Sequence, residues 1–308
     1  MAYLYGPAWD AEYLGNYRPI VRANLAQNIR ILLEYGYANG DIEEDQVPDL
    51  LTVLSATDEL EGAGQALARL WTHPGLQRVW GTRSKLYVSD NLAHYMAHLD
   101  RILAQDYVPT PEDVLKAREM THGIKEMELR LQDGTVFRAF DVAGQRNQRK
   151  NWLTTYVNAA AVMYVAAISE YDQVCLEDSQ TNRLYEALAT FSEIAAHPDL
   201  RKSHFILMLN KDDLFREKLR RVPFRIPGVR FDDFTGPHAV DSGVDFDAAV
   251  KAAHGYLLKL FLDKAGPAKG KVFVHFTQAT DPQQFRFVFD ACKIAVLSDS
   301  LVQLGMSF

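Results

Sequence analysis

The sequence predicts an α/β protein, a mostly parallel sheet wrapped by helices, with an all-helical region ahead of it. Three observations carry this. Residues 15 to about 107 repeat apolar side chains at helical spacing, and short, nearly continuous apolar runs then alternate with helical stretches. Polar signatures close three of those runs at their carboxyl ends, the edge where open parallel sheets bind ligands.

In chain order, Val21, Leu25, Ile29, Leu32 and Leu33 fall on one helical face. Leu92, Tyr95, Met96, Leu99, Ile102 and Leu103 fall on another, with Ser89 or Asp90 as its N-cap. "DYVPTPED" at 106–113 carries two prolines, which predict the end of the helical region and a domain boundary. Strands are expected at 125–131 and 136–142, joined through "QDGT", where Asp133-Gly134 suits a tight turn. The runs at 161–168, 204–210 and 271–276 read as strands buried on both faces. Residues 222–247, rich in Pro, Gly and Asp, read as a long surface loop.

Composition narrows the function. The chain has 308 residues, 48% hydrophobic and 24% charged, enough for about two domains. A net charge of -7, with 40 acidic against 33 basic residues, argues against a nucleic-acid partner. Cys175 and Cys292 lie in apolar stretches and read as buried thiols of a reducing compartment. No apolar run is long enough for a membrane span, the first residues lack a signal-peptide pattern, and Ala2 stands where myristoylation needs Gly. A cytoplasmic chain without direct membrane insertion is expected.

The three signatures are "DVAGQ" from Asp141, "NKDD" from Asn210 and "TQAT" from Thr277. Singly, each also fits a helix cap or a solvated turn. Together they suit a guanine nucleotide. Guanine offers two adjacent donors, N1–H and the 2-amino group, and one carboxylate, Asp213, can accept both. Asn210 can face the acceptors of the other edge, the Lys211 stem can cover the ring, and a backbone N–H of "TQAT" can meet O6. At the phosphate end, Thr121 offers magnesium a hard oxygen and Asp141 can hold the ion through water. Arg118 can offset charge on a transferring phosphoryl group, an effect of about 10³–10⁵ in rate; the lesser alternative is a surface ion pair with Glu112 or Glu119. Gln145 can orient the attacking water, and Gly144 leaves room for a terminal phosphate.

From about residue 13 onward the chain resembles heterotrimeric G-protein alpha subunits. "YVPTPEDVLKAREMTHGI", "FDVAGQRNQRKNW", "AAISEYDQ", "LNKDDLFREKL" and "HFTQATDPQQFRFVFDA" carry the resemblance by order, spacing and sequence. It implies a Ras-like P-loop GTPase domain with an all-helical domain inserted in it. The implied divisions are 1–14, a remnant of the first GTPase-domain helix and linker; 15–110, all-helical; and 111–308, Ras-like. Implied cofactors are GTP or GDP and Mg2+. Leu115, Lys116, Arg118 and Thr121 would belong to the first switch, and Asp141, Val142, Ala143, Gly144 and Gln145 would open the second. Asn210, Lys211, Asp212, Asp213 and Ala279 would form the base site. Arg118 and Gln145 would be catalytic, with Thr121 and Asp141 on the metal. Asp90 would reach toward Lys211, and Arg149 would pair with Glu186 beside Trp152. Implied partners are the beta-gamma dimer, a G-protein-coupled receptor met by the last helix, and effectors. Family members sit at the inner face of the plasma membrane through an N-terminal lipid.

Some positions depart from the family pattern. Ala143 replaces a glycine, Gln278 replaces a cysteine, and no cysteine stands four from the end. The largest departure is the phosphate loop: no GxxxxGK[ST] occurs, and the one Gly-Lys pair, Gly270-Lys271, is followed by Val272. Met1 falls where the family has an internal methionine, so the expectation is a shortened chain, its first strand missing, two sheet edges left open and nucleotide binding impaired. The alternative is a non-catalytic binding module or decoy that engages a receptor or partner through its last helix or second switch.

Overall fold

The structure is a computed structural model that describes residues 9–130, 134–157, 159–224, 233–290 and 293. It divides into two compact units: the described residues of Met1–Thr121 with Met127–Ala139, and those of His122–Glu126 with Phe140–Phe308.

The first unit is built from α1 (Ala11–Gly15), α2 (Arg18–Ala38), α3 (Val47–Ser55), α4 (Gly64–Thr72), α5 (Pro74–Gly81), α6 (Leu92–Ala97), α7 (Leu99–Leu103) and α8 (Pro111–Lys116). Its core gathers the predicted stripe of α2, every member of which is inaccessible to solvent, with Leu67, Leu76 and Tyr95. Gly75, near the start of α5, marks a close backbone approach: a Cβ there would lie 1.7 Å from the Asp41 carbonyl oxygen. The second stripe does not form one helix. His98 leaves helical geometry (φ -118, ψ 26) because its ring Nδ1 bonds the His94 carbonyl, the acceptor its own backbone N–H would use, and that N–H turns to Tyr95 instead.

Two local expectations are corrected here. Neither Ser89 nor Asp90 is the N-cap of α6; Asn91 is, and its side chain makes no capping bond. Pro111 does not end a helix but opens α8, where its missing N–H costs nothing. Thr110 and Asp113 close a reciprocal capping box there.

Strands β1 (Ile124–Arg130) and β2 (Val136–Val142) form a two-stranded sheet. Gln132 and Asp133 of the expected turn lie outside the described residues, and Gly134 takes φ +82. The second unit holds a three-stranded parallel sheet ordered β3 (Ala161–Ala167), β4 (His204–Asn210), β5 (Val272–Thr277). Helix α9 (Leu153–Tyr156) precedes it, α10 (Arg183–Ala196) links β3 to β4, and α11 (Asp212–Leu219) and α12 (Phe246–Lys264) link β4 to β5. Paired on both sides and covered on both faces, β4 buries six of its seven residues, as its unbroken apolar run requires.

The segment expected as a surface loop at 222–247 is only partly one. Phe224 and Phe234 are buried and pack on each other and, respectively, on Phe215 and Tyr256. Apolar rings among Pro, Gly and Asp anchor the segment to the core. Residues 225–232 lie outside the described residues, as do Cys292 and most of the last helix, of which 282–290 is described.

Candidate functional site: a nucleotide-type strand edge

The carboxyl ends of β4 and β5 meet in register, Asn210 opposite Thr277. Asn210 Oδ1 accepts the Ala279 N–H at 2.8 Å and the Thr277 hydroxyl at 3.3 Å. "NKDD" and "TQAT", 67 residues apart in sequence, are thus one junction. The Asn210 Nδ2 has no hydrogen-bond partner among the described residues. The Ala279 N–H, expected to meet a base, is here a donor to Asn210, so serving a base requires an exchange of partners.

Lys211 turns the chain from strand to helix in left-handed geometry (φ 62, ψ 40), a conformation that costs an L-residue about 1–2 kcal/mol. The turn puts Asp212 and Asp213 in the first turn of α11. Asp212 bonds His254 Nε2 at 2.6 Å, and the His254 ring stacks on Phe276 at 3.9 Å. Asp213 is exposed, and its carboxylate has no partner among the described residues. Lys211 Nζ lies 3.1 Å from Glu170, which also meets Arg183 at 3.3 Å.

The turn after β2 is held from both sides. Ala143, buried, donates its N–H to the Gly123 carbonyl (3.0 Å) and accepts the Trp152 indole N–H (2.8 Å). Beyond it, Arg149 reaches Glu186 at 2.7 Å, with its guanidinium 5.7 Å from the Trp152 ring centre. Arg146 was not singled out in the sequence, yet it is the stronger partner. It makes two 2.9 Å bonds to Glu186 and a third, at 2.7 Å, to Asp178. Hydrogen bonds from Arg146, then Arg149, hold the Glu186 carboxyl below its usual range against the opposing effect of burial. Asp178 is also lowered, first by the Thr181 hydroxyl and backbone. Asp141 and Gly144 are exposed and Gln145 half-buried. A Cβ at Gly144 would meet nothing within 4 Å, so no described residue of this chain demands a glycine there.

In the first unit, Leu115 and Lys116 lie in α8, and Lys116 pairs loosely with Glu112 at 3.6 Å. Arg118 is exposed and pairs with neither Glu112 nor Glu119; its guanidinium has no partner among the described residues. Thr121 is half-buried. Asp113, fully buried, takes Arg101 through both oxygens (2.6 and 2.9 Å), His94 Nε2 at 2.8 Å and the Tyr107 hydroxyl at 3.1 Å. Among the described residues no group of three or more His, Cys, Asp or Glu could hold a metal ion, and no helix is long and apolar enough to cross a membrane.

The G-protein alpha subunit family matches residues 1–296 of the chain. The chain belongs to that family. Similar to this alpha subunit is guanine nucleotide-binding protein alpha-1 subunit of Caenorhabditis briggsae, 37% identical over 241 residues, which are 78% of this chain and 64% of that relative. Two G(o) subunit alpha proteins, from Locusta migratoria and Planorbella trivolvis, are each 31% identical over 315 aligned positions, 99% of this chain and 85% of each relative. Membership brings guanine nucleotide binding and a place in signal transduction as family properties. Within this alpha subunit, sequence reasoning missed Arg146, Asp178, Glu170 and His254, which bond through the fold and leave no local pattern. It also missed Asn24 and Asn28, whose signal was available: two amides four residues apart inside an apolar helical stripe.

Proposed function

We propose that this chain is a GTP-binding, GTP-hydrolysing switch that relays receptor signals to effectors, with a beta-gamma dimer among its partners. The observation that supports it best is the Asn210–Thr277–Ala279 junction, with Asp213 in the first turn of the helix that follows and its carboxylate without a partner among the described residues. A carboxylate such as Asp213 can accept the two adjacent donors of guanine, a pair that adenine does not offer. Leu115, Lys116, Val142, Ala143, Gly144, Lys211 and Asp212 would line the nucleotide. Arg118 would offset phosphoryl charge, and Gln145 would orient water. The fold reading is a Ras-like domain carrying an inserted helical one.

For Mg2+, the chain supplies hard oxygens at Thr121 and Asp141 and no denser acidic cluster among the described residues. Hard-oxygen donors of this kind suit an ion held chiefly by phosphate oxygens and water. When bound, the ion would neutralise phosphate charge; Thr121 would ligate it directly and Asp141 through water.

These 308 residues contain no GxxxxGK[ST]. A charge-assisted hydrogen bond is worth about 1.5–3 kcal/mol, so five fewer phosphate contacts amount to about 7–15 kcal/mol, at least five decades of affinity. For these 308 residues by themselves we expect guanine-selective but weak binding. Titrating the chain with fluorescent GTP and ATP analogues in magnesium tests this. The expected result is a Kd weaker than submicromolar, a preference for GTP, and a loss of about tenfold or more in Asp213→Asn. Equal binding of both analogues would sink the base-site reading, and submicromolar GTP binding would sink the expectation of weakness. A second reading, a non-catalytic module that occupies a receptor or partner, predicts no nucleotide binding in the same titration.

A further inference from the structure

The exposed guanidinium of Arg118 is carried on a tightly held backbone. Asn24, on α2 and 9% exposed, uses both ends of its side-chain amide on that one residue: Oδ1 accepts the Arg118 N–H at 2.6 Å, and Nδ2 donates to the Arg118 carbonyl at 3.0 Å. The pair of bonds imitates one rung of a sheet ladder. Asn91 donates to the same Oδ1 and to the Lys116 carbonyl, each at 3.0 Å. Asn28 braces the arrangement from one turn along α2. It donates to the Asn24 carbonyl at 2.6 Å and accepts the Ser89 N–H at 2.7 Å. All three asparagines are buried. Buried amides are retained at a cost unless their hydrogen bonds are made, and here the bonds converge on the chain from Lys116 to Arg118.

We infer that Asn24 is a positioning residue for Arg118: its amide fixes the Arg118 backbone to the helical unit, so that the guanidinium, which has no partner among the described residues, is aimed from a rigid base. The inference rests on the proposed catalytic role of Arg118 and deepens it. Only asparagine fits the position. Aspartate lacks the donor for the Arg118 carbonyl, glutamine is one methylene too long, and alanine leaves the Arg118 N–H and carbonyl without these partners. Small losses of orientation at a catalytic group reach about a hundredfold in rate.

The test uses the full chain and two readouts. Amide hydrogen exchange followed by NMR reads the clamp directly. Arg118 should be protected in the wild type, and in Asn24→Ala it should exchange about tenfold faster or more, while core amides of α2 such as Leu32 keep their protection. Leu67→Ala, which opens a cavity elsewhere in the same unit, controls for general destabilisation and should leave the Arg118 amide unchanged relative to its neighbours. Single-turnover GTP hydrolysis reads the consequence in Asn24→Ala, Arg118→Ala and the double variant. The expected result is about a tenfold to hundredfold loss in each single variant at unchanged nucleotide affinity, and no further loss in the double.

If Arg118→Ala slows hydrolysis and Asn24→Ala does not, or if the two losses multiply, the inference is overturned while the reading of Arg118 stands. If Arg118→Ala changes nothing, or the chain does not hydrolyse GTP, the catalytic reading fails and exchange alone decides whether the clamp exists. Unchanged Arg118 exchange in Asn24→Ala, or the same acceleration in Leu67→Ala, overturns the clamp itself.

Discussion

Asp113 shows how a single side chain holds the segment that leads to Arg118. Burial works to raise its carboxyl pKa, but hydrogen bonds from Arg101, Thr110 and His94 outweigh that and hold it well below the usual carboxylate range. A carboxyl depressed in the folded state adds stability that is fully present above its unfolded pKa, about 3.9, and is lost as pH falls through the folded value. Asp113→Asn should therefore cost about 3–5 kcal/mol at pH 7, the usual penalty for stranding the partners of a buried charge. The gap between variant and wild type should shrink below about pH 4. Thermal unfolding of both proteins as a function of pH measures it, and a gap that stays constant into acid would refute the assignment. That Arg101, His94 and Tyr107 converge on the same carboxylate depends on α6, α7 and α8 packing together.

At the scale of elements, apolar periodicity located the strands to within a residue or so and placed the α2 stripe in the core. It failed where a side chain competed with the backbone, as at His98, and where isolated rings were hidden among turn formers, as at Phe224 and Phe234. Glycine roles were equally invisible to it. Gly75 and Gly81 both lie in α5, yet a Cβ at the first would strike the Asp41 carbonyl, and at the second would meet nothing within 4 Å. Gly75→Ala should destabilise by about 1–3 kcal/mol or more, as overpacking does. Gly81→Ala should be neutral or stabilise by up to about 1 kcal/mol, because the unfolded chain loses freedom. Urea denaturation of the two variants distinguishes them, and equal effects would contradict the close approach.

At the scale of the whole molecule, the described residues gather into two hydrophobic cores, one in each unit. Among the described residues β3 is paired on one side only, and Val165 on it is 51% exposed. An apolar strand with an open edge invites pairing with another chain. Val165→Lys should reduce self-association without loss of fold, which light scattering against concentration at matched circular dichroism would measure; unchanged scattering would mean that this edge is not the sticky surface. The sequence by itself determined the α/β class, the family, and the chemical identity of the base-site candidates, because order, spacing and residue type are local properties. Only the tertiary structure decided that Asn210 bonds Ala279, that Arg146 shares Glu186 with Arg149, and that Asn24 grips Arg118. Those contacts join residues 37 to 94 positions apart, and a hydrogen bond of 3 Å exists only once packing has brought its two ends together.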